Sequence, residues 1–393
     1  MRRVLGGTPV WILMGLIAWG GVAWLGWSLW NQSPPKAGFD LVLLLEGARA
    51  VAAGTSPYDP GMLAGNAPSA TDLFYSYPPV VAQALTLVAW LPNGVVLVLW
   101  GLGAIAGLGH IAAEIARRDA QGEPRSSLIG LRAMLAAPLV LPFAVAILFG
   151  NLDAWYPLAY GALLLTILAK PSKLTLAAGG AAVAVVAVAK LHPASLLLWI
   201  AARAFAERGG PQARVLAAAV VTGLVIVGAS VAIGGIGIWA DYVTVIRAGA
   251  GAALVDARNL GPVSLLGQVT GMEGTALRIA QAVVSLLAVA VTIIAALRVR
   301  DRLASLSIAI AASLVTLPVT WYHYPVALIP VGIALAVMRP RARPWVALAA
   351  VIAGVAIGLP PLLWVAVGVL LWATISTAPV ASGPAPAEPV GAA

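Results

Sequence analysis

The sequence predicts an all-α, polytopic integral membrane protein with about 11–12 transmembrane helices. Three observations carry this prediction. Only 9% of the 393 residues are charged while 61% are hydrophobic, whereas a soluble surface needs roughly a quarter charged residues overall. Apolar runs of about 17–22 residues recur along the chain, the length that crosses a bilayer as helix. In lipid every backbone polar group must be satisfied internally, which leaves helices for runs this long. Finally, Arg2, Arg3, Arg117, Arg118, Arg125, Arg132, Lys170, Lys173, Arg203, Arg208, Arg214, Arg298, Arg300, Arg302, Arg339, Arg341 and Arg343 cluster between alternate runs. That is the positive-inside pattern, and it assigns those loops to the cytoplasm. The net charge of +9 therefore reports topology and gives no reason to expect a nucleic-acid partner. The chain has no cysteine, so disulfides and thiolate metal sites are excluded.

Each element follows from this frame. The run 10–30 is too long for a signal peptide and lacks a small-residue cleavage site, so it reads as a retained first span. Residues 31–93 form a first long outer loop. Within it, 79–91 is apolar but too short to cross and reads as an interfacial or re-entrant helix. Spans at 94–113, 128–148 and 152–169 follow. The stretch 174–206 has basic residues at both ends and exceeds one crossing at about 1.5 Å per residue. It reads as a hairpin with "KLHP" (190–193) at its outer tip. Residues 214–234 and 277–297 are spans flanking a second long outer loop, 235–276. Spans at 303–318 and 324–338 flank "PVTWYHY". Residues 345–378, broken at Pro360-Pro361, make a last hairpin. Residues 1–379 thus read as one transmembrane domain, and 380–393 as a disordered Pro/Ala-rich tail.

The two faces differ in chemistry. Asp40, Glu46, Asp59, Asp72, Asp153, Asp241, Asp256 and Glu273 fall on the outer side, with both long loops, so chemistry is expected there. Asp40 opens "LVLLLEGARAVAAG" either as a helix N-cap or as a general base held at the membrane surface. Glu46 and Arg49 are spaced as an i,i+3 pair. "SPYDP" (56–60) is a rigid turn in which Tyr58 either stacks on substrate or packs at the interface. Tyr77 in "FYSYPP" belongs by position to an aromatic belt. Lys190 and His192 sit at the tip of an apolar hairpin, where Lys190 either snorkels or serves as a cation for a phosphate group. His323 in "TWYHYP" reads equally as an interface histidine or a site residue. Gly103 and Gly107 form a GxxxG that suits helix packing. The three histidines lack ligand-like spacing, so no metal site is expected.

In order, "FDLVLLLEGARAVAAGTSPYDP" (39–60), "FYSYPPVVAQALTLVAWLP" (74–92), "KLHPASLLLW" (190–199), "RNLGPVSLLGQ" (258–268) and "PVTWYHYPVALIPVGIAL" (318–335) resemble the bacterial polyprenyl-phosphate-mannose-dependent mannosyltransferases of the GT-C superfamily, glycosyltransferase family 87. The resemblance spans most of the chain. It implies a GT-C-type fold with outer juxtamembrane helices, in the plasma membrane, with the active site on the extracytoplasmic face. It implies a polyprenyl-phosphate sugar donor, a glycolipid acceptor and the lipid bilayer as partners, with no cofactor and no metal. Asp40 matches the acidic residue of the first outer loop that serves as catalytic base, and the last motif's histidine matches His323. Lys190, His192 and Arg258 are then candidates for the donor phosphate. Glu46, Tyr58, Asp59, Tyr77, Asn151, Asp153, Asn259 and Tyr322 are candidate substrate contacts. Relatives carry a Gly-Gln-x-Asn signature where this chain has Gly150-Asn151-Leu152-Asp153. An arabinofuranosyl donor, and a glycolipid transporter or flippase or a non-catalytic scaffold, are the alternative readings. Nearly charge-free span centres and the lack of an internal repeat speak against a transporter.

Overall fold

The computed structural model describes residues 8–33, 35–69, 74–119, 123–168 and 171–379. Arg2, Arg3, Asp72, Lys170 and the tail 380–393 lie outside these residues, as does the side chain of Arg125. Among the described residues there are 18 α-helices and no strand. In chain order they are α1 (Thr8–Trp30), α2 (Phe39–Ala52), α3 (Pro60–Leu63), α4 (Pro79–Leu85), α5 (Asn93–Arg118), α6 (Glu123–Ala136), α7 (Leu141–Phe149), α8 (Tyr156–Leu165) and α9 (Lys173–Ala189). The second half comprises α10 (Ser195–Ala206), α11 (Pro211–Gly234), α12 (Gly237–Val255), α13 (Pro262–Thr270), α14 (Gly274–Arg298), α15 (Arg302–Ser313), α16 (Ile329–Met338), α17 (Arg343–Val355) and α18 (Leu362–Ser376).

Five helices are long and apolar enough to cross a membrane alone, and a bent pair, Ser126–Leu139 with Leu141–Phe149, raises this to six. The bend of 80° falls at Val140, just before Pro142, whose ring cannot continue a straight helix. The expected span 128–148 is therefore two segments. Lys173–Ala189, Arg302–Ser313, Tyr324–Met338 and Leu362–Ser376 are shorter apolar helices. Several of the expected crossings are thus broken near prolines into pieces shorter than a full span. Helix ends inside the protein are tolerated where neighbouring segments satisfy the freed backbone groups.

Polar contacts sort the molecule into two ends. At one end Arg118 donates to the Thr175 hydroxyl at 2.9 Å and Arg203 to the Ala296 carbonyl at 3.0 Å. There Arg302 pairs with Glu207 at 3.1 Å and Arg339 with Asp301 at 2.6 Å. This basic end gathers the loops that the charge rule groups together. Gly180 in α9 packs against Val215 and Ala219 in the first turns of α11, so the chain leaving α9 returns alongside it. The connection through α10 must then double back, which makes 174–206 a hairpin with Lys190 to Ala194 at its tip. Small residues let α5 approach α8: Gly103 faces Trp155, Gly107 faces Leu158, and Gly161 faces Ile111.

The second long loop is mostly helix. α12 is apolar enough to count as a span, yet both of its flanks lie at the end opposite the arginines. At its start Trp239 donates to the Ser230 hydroxyl. Beyond it, Gln281 and Ser285 in the first half of α14 bond to carbonyls of residues 315–317. α12 sets Gly249 against Phe74 and Met62, and its second half lines the cavity described below.

Candidate active site

The site begins with how α2 is docked. Gly38 caps α2 with φ 70, a left-handed conformation that glycine adopts without steric cost. Its amide donates to the Leu148 carbonyl at 2.8 Å, fastening the start of α2 to the end of α7. Gly150, also left-handed at φ 67, ends α7 against Leu41. Phe39 and Phe149 meet with ring centroids 4.5 Å apart. This joint brings two residues 111 positions apart together: Asn151 Nδ2 donates to Asp40 Oδ2 at 2.7 Å. Asp40 is not the N-cap. It stands in the first turn of α2 and makes no cap hydrogen bond.

Asn151 is itself held on three sides. Its Oδ1 accepts the Asp153 amide at 2.9 Å and its carbonyl accepts from Trp100 Nε1 at 3.1 Å. The turn it caps sends Asp153 into the interior, fully buried. There Lys190 Nζ donates to Asp153 Oδ1 at 2.9 Å. His323 Nε2 lies 3.3 Å from Asp153 Oδ2, a close contact without hydrogen-bond alignment. Lys190 also sits 4.1 Å above the centre of the Tyr324 ring. His192 stacks behind that ring at 4.7 Å and 15°, with both ring nitrogens buried and unpartnered.

Asp40, Asn151 and Lys190 open onto a cavity of about 400 Å³, shared with Tyr77, Asp256, Arg258, Tyr322 and His323. Arg258 forks onto Asp256 with contacts down to 2.6 Å and lies 5.8 Å from the Trp321 ring. Burial opposes the Asp256 charge, but the hydrogen bonds from Arg258 outweigh it and hold the carboxyl below its usual range. Asp40 has no such cation within ion-pairing distance. Burial dominates there, offset partly by the Asn151 bond and the Lys190 charge, and lifts its pKa to about 6. A half-buried carboxylate with one amide partner, poised near neutrality, is equipped to take a proton.

Seven of the sequence-predicted residues line the cavity: Asp40, Tyr77, Asn151, Lys190, Arg258, Tyr322 and His323. Six do not. Asp153 and His192 are buried behind the wall and support it. Asn259 is a clamp: its Nδ2 donates to the Ala253 and Pro318 carbonyls and its Oδ1 accepts from the Gly261 and Thr320 amides. It fixes the loop carrying Arg258 against the one carrying Trp321. Tyr58 is packed among Tyr75 and Tyr242, its hydroxyl bonded to the Tyr77 carbonyl at 3.0 Å. Asp59 caps α3 through the Met62 amide at 2.8 Å. Glu46 is exposed, and the expected Glu46–Arg49 pair does not form. Arg49 reaches instead to the Ala89 carbonyl and to Asn93 Oδ1, at 2.9 and 2.6 Å.

Residues that sequence reasoning passed over also line the cavity, among them Phe39, Phe74, Tyr242, Trp321 and Tyr324. Tyr324 was within reach, since it adjoins His323 in an aromatic-rich break between apolar runs. Tyr242 carries no sequence signal beyond its place in a long loop. Among the described residues no three metal-ligating groups converge.

The apolar helical body and the polar cavity around Asp40 agree with the comparison to known proteins. No curated protein matches the chain. Residues 75–320 match the family model for Glycosyltransferase family 87, a stretch holding Tyr77, Asn151, Asp153, Lys190 and Arg258 but stopping short of Asp40 and His323. That match covers well over half of the chain, which therefore belongs to glycosyltransferase family 87 and is a membrane glycosyltransferase.

Proposed function

We propose that this transferase moves a mannosyl residue from a polyprenyl-phosphate donor to a hydroxyl of a lipid-linked glycan, on the extracytoplasmic face of the plasma membrane and with inversion. The observation that carries the reading is the opposition of charges around one cavity. Asp40, raised to about 6 and free of an ion pair, faces a space that Lys190 and Arg258 also line. Asp40 accepts the proton of the acceptor hydroxyl while that oxygen attacks the anomeric carbon of the donor. The bond from that carbon to the phosphate oxygen breaks on the opposite side, turning a β-linked donor into an α-linked product. The leaving phosphate is a weak base and needs no proton. It needs positive charge, for which Lys190 and Arg258 are the candidates. The donor carries its activation in its own phosphoester, so the reaction as written uses no nucleotide, metal or other cofactor.

The placement outside the cytoplasm is supported by the arginine-rich loops gathered at the far end of the bundle. Lipid-borne substrates suit a cavity whose walls are mostly apolar and aromatic. The experiment is transfer from radiolabelled polyprenyl-phosphate-mannose to a glycolipid extract by purified protein in nanodiscs, wild type beside Asp40→Asn. A positioned base is worth about 10²–10⁴-fold, so the folded variant should lose that much turnover and still bind donor. Equal transfer by both would remove Asp40 from the reaction. Transfer only from an arabinofuranosyl donor would replace the sugar and keep the mechanism.

A further inference from the structure

Lys190 and the arginines at the cavity end can be sorted by what they touch. Lys190 is paired with Asp153 and Arg258 with Asp256. Arg49 is bonded to the Ala89 carbonyl and to Asn93. Arg247 on α12 and Arg278 on α14 are different. Neither has a hydrogen bond, ion pair or ring contact among the described residues, and neither nearby acid answers them. Asp241 instead accepts from Ser56, and Glu273 forms no ion pair. Both arginines line a second cavity of about 290 Å³, between α12, α14 and the loop at Pro318. Ala250 and Pro318 belong to the walls of both cavities, so the second opens beside the first.

These two positions run against the charge pattern of the chain, which collects most of its arginines at the other end. Arg247 is the only charged residue between Asp241 and Asp256 on an otherwise apolar helix, and Arg278 lies one turn into an apolar span. Both arginines are exposed, so an anionic headgroup at the membrane surface can reach them. Two guanidinium groups on separate helices around one pocket offer forked donors of the kind that grips phosphate oxygens. The surrounding apolar exposure, including Val243, Val255 and Ile279, suits acyl chains rather than water.

We propose that Arg247 and Arg278 form a binding site for the phosphate of an anionic lipid headgroup, next to the catalytic cavity and separate from Lys190 and Arg258. The site holds one such lipid between α12 and α14 with its headgroup over Ala250 and Pro318. It does not depend on which sugar is transferred.

The test is native mass spectrometry of the full chain released from phosphatidylcholine nanodiscs doped with phosphatidylglycerol. Wild type is compared with Arg247→Gln/Arg278→Gln and with a charge-matched control at the basic end, Arg298→Gln/Arg300→Gln. Wild type and control should retain one phosphatidylglycerol that the double variant holds at least tenfold more weakly, with melting temperatures checked for all three. Each single variant should fall between. Equal retention by all three proteins would overturn the site, and equal loss in the double variant and the control would reduce it to general charge attraction. Displacement of the lipid by millimolar inorganic phosphate would make it a free-anion site and overturn the lipid assignment. Should Arg247→Gln/Arg278→Gln fail to fold, the charge-preserving Arg247→Lys/Arg278→Lys is used. It should keep the lipid with weaker, salt-sensitive binding, and unchanged retention would count against a forked grip.

Discussion

Asn151 Nδ2 donates to Asp40 Oδ2 at 2.7 Å, and among the described residues this is the one side-chain hydrogen bond on the carboxylate that faces the cavity. The bond favours the ionised form, so it holds the Asp40 pKa lower than burial alone would set it. Wild-type turnover should therefore fall on the acid side with a midpoint near pH 6. In Asn151→Ala that bond is gone, and a hydrogen bond to a charge is worth about 1.5–3 kcal/mol. The acid limb should move upward by on the order of one pH unit, while the plateau rate falls less than in Asp40→Asn. A limb that stays where it was would detach Asp40 from the pH profile.

The same pKa has a consequence for stability, with a sign opposite to that of an ion-paired carboxylate. Asp40 rises from 3.8 to about 6 on folding, so the folded protein holds this proton more tightly than the unfolded chain. Ionising it in place costs stability. The penalty is absent below pH 3.8, grows between there and about 6, and is full above. Asp40→Asn should raise the thermal midpoint at pH 7.5, by on the order of 1–3 kcal/mol in stability, and leave it unchanged at the lowest pH where the protein stays folded. Thermal melts in nanodiscs at the two pH values would decide this.

Lys190 and Asp153 form a pair in which the lysine side chain is 12% exposed and the carboxylate 0%. Removing one partner strands the other charge, which costs about 3–5 kcal/mol for buried pairs. Lys190→Met and Asp153→Leu should each destabilise the protein by that order. The double variant should recover most of the loss, because two apolar side chains leave no charge behind. Activity should remain absent in all three, since the cation facing the cavity is gone or misplaced. A double-mutant cycle with melts and transfer assays separates the two effects.

Much of this architecture could be read from the chain. Charge clustering gave the grouping of loops at one end, and the basic residues on both sides of 174–206 gave the hairpin that presents Lys190. Lys190 and His192 are legible because an ionisable group at the tip of an apolar hairpin is expensive, whereas Asp40 and His323 are singled out only by the family resemblance. What escaped was set by contacts distant in sequence. Nothing near Asp40 reveals that Asn151 will meet it. Asn259 is a candidate substrate contact only through the resemblance of "RNLGPVSLLGQ", and its amide offers the same groups to backbone as to a sugar. Only the fold shows all four of its bonds taken by Ala253, Pro318, Gly261 and Thr320. α12 escapes for another reason: residues 235–276 read as one long outer loop, although Gly237–Val255 is apolar enough to count as a span.

Gly150 ties these threads together. It sits at φ 67, and a Cβ there would stand 2.5 Å from the Leu41 Cβ. Leu41 is fully buried beside Asp40 in the first turn of α2, so the backbone of α2 must move to admit a methyl group. Left-handed strain for a non-glycine residue adds about 1–3 kcal/mol. Gly150→Ala should lower stability by on the order of 2–4 kcal/mol, combining strain with overpacking. It should also separate Asp40 from Asn151 by pushing α2 off the end of α7. Turnover should drop at least tenfold, because an ångström of misplacement at a reacting group is enough for a large loss, and the acid limb should rise as it does in Asn151→Ala. Leu41→Ala removes the side chain but leaves its Cβ, so the second substitution should restore little of either quantity. Substantial rescue by Gly150→Ala/Leu41→Gly, which clears the clashing atom, would assign the loss to this contact. Because Leu41→Gly alone forfeits a buried side chain, the double variant is read against Leu41→Gly: if Gly150→Ala costs as much there as in the wild type, the loss belongs to the left-handed backbone of Gly150.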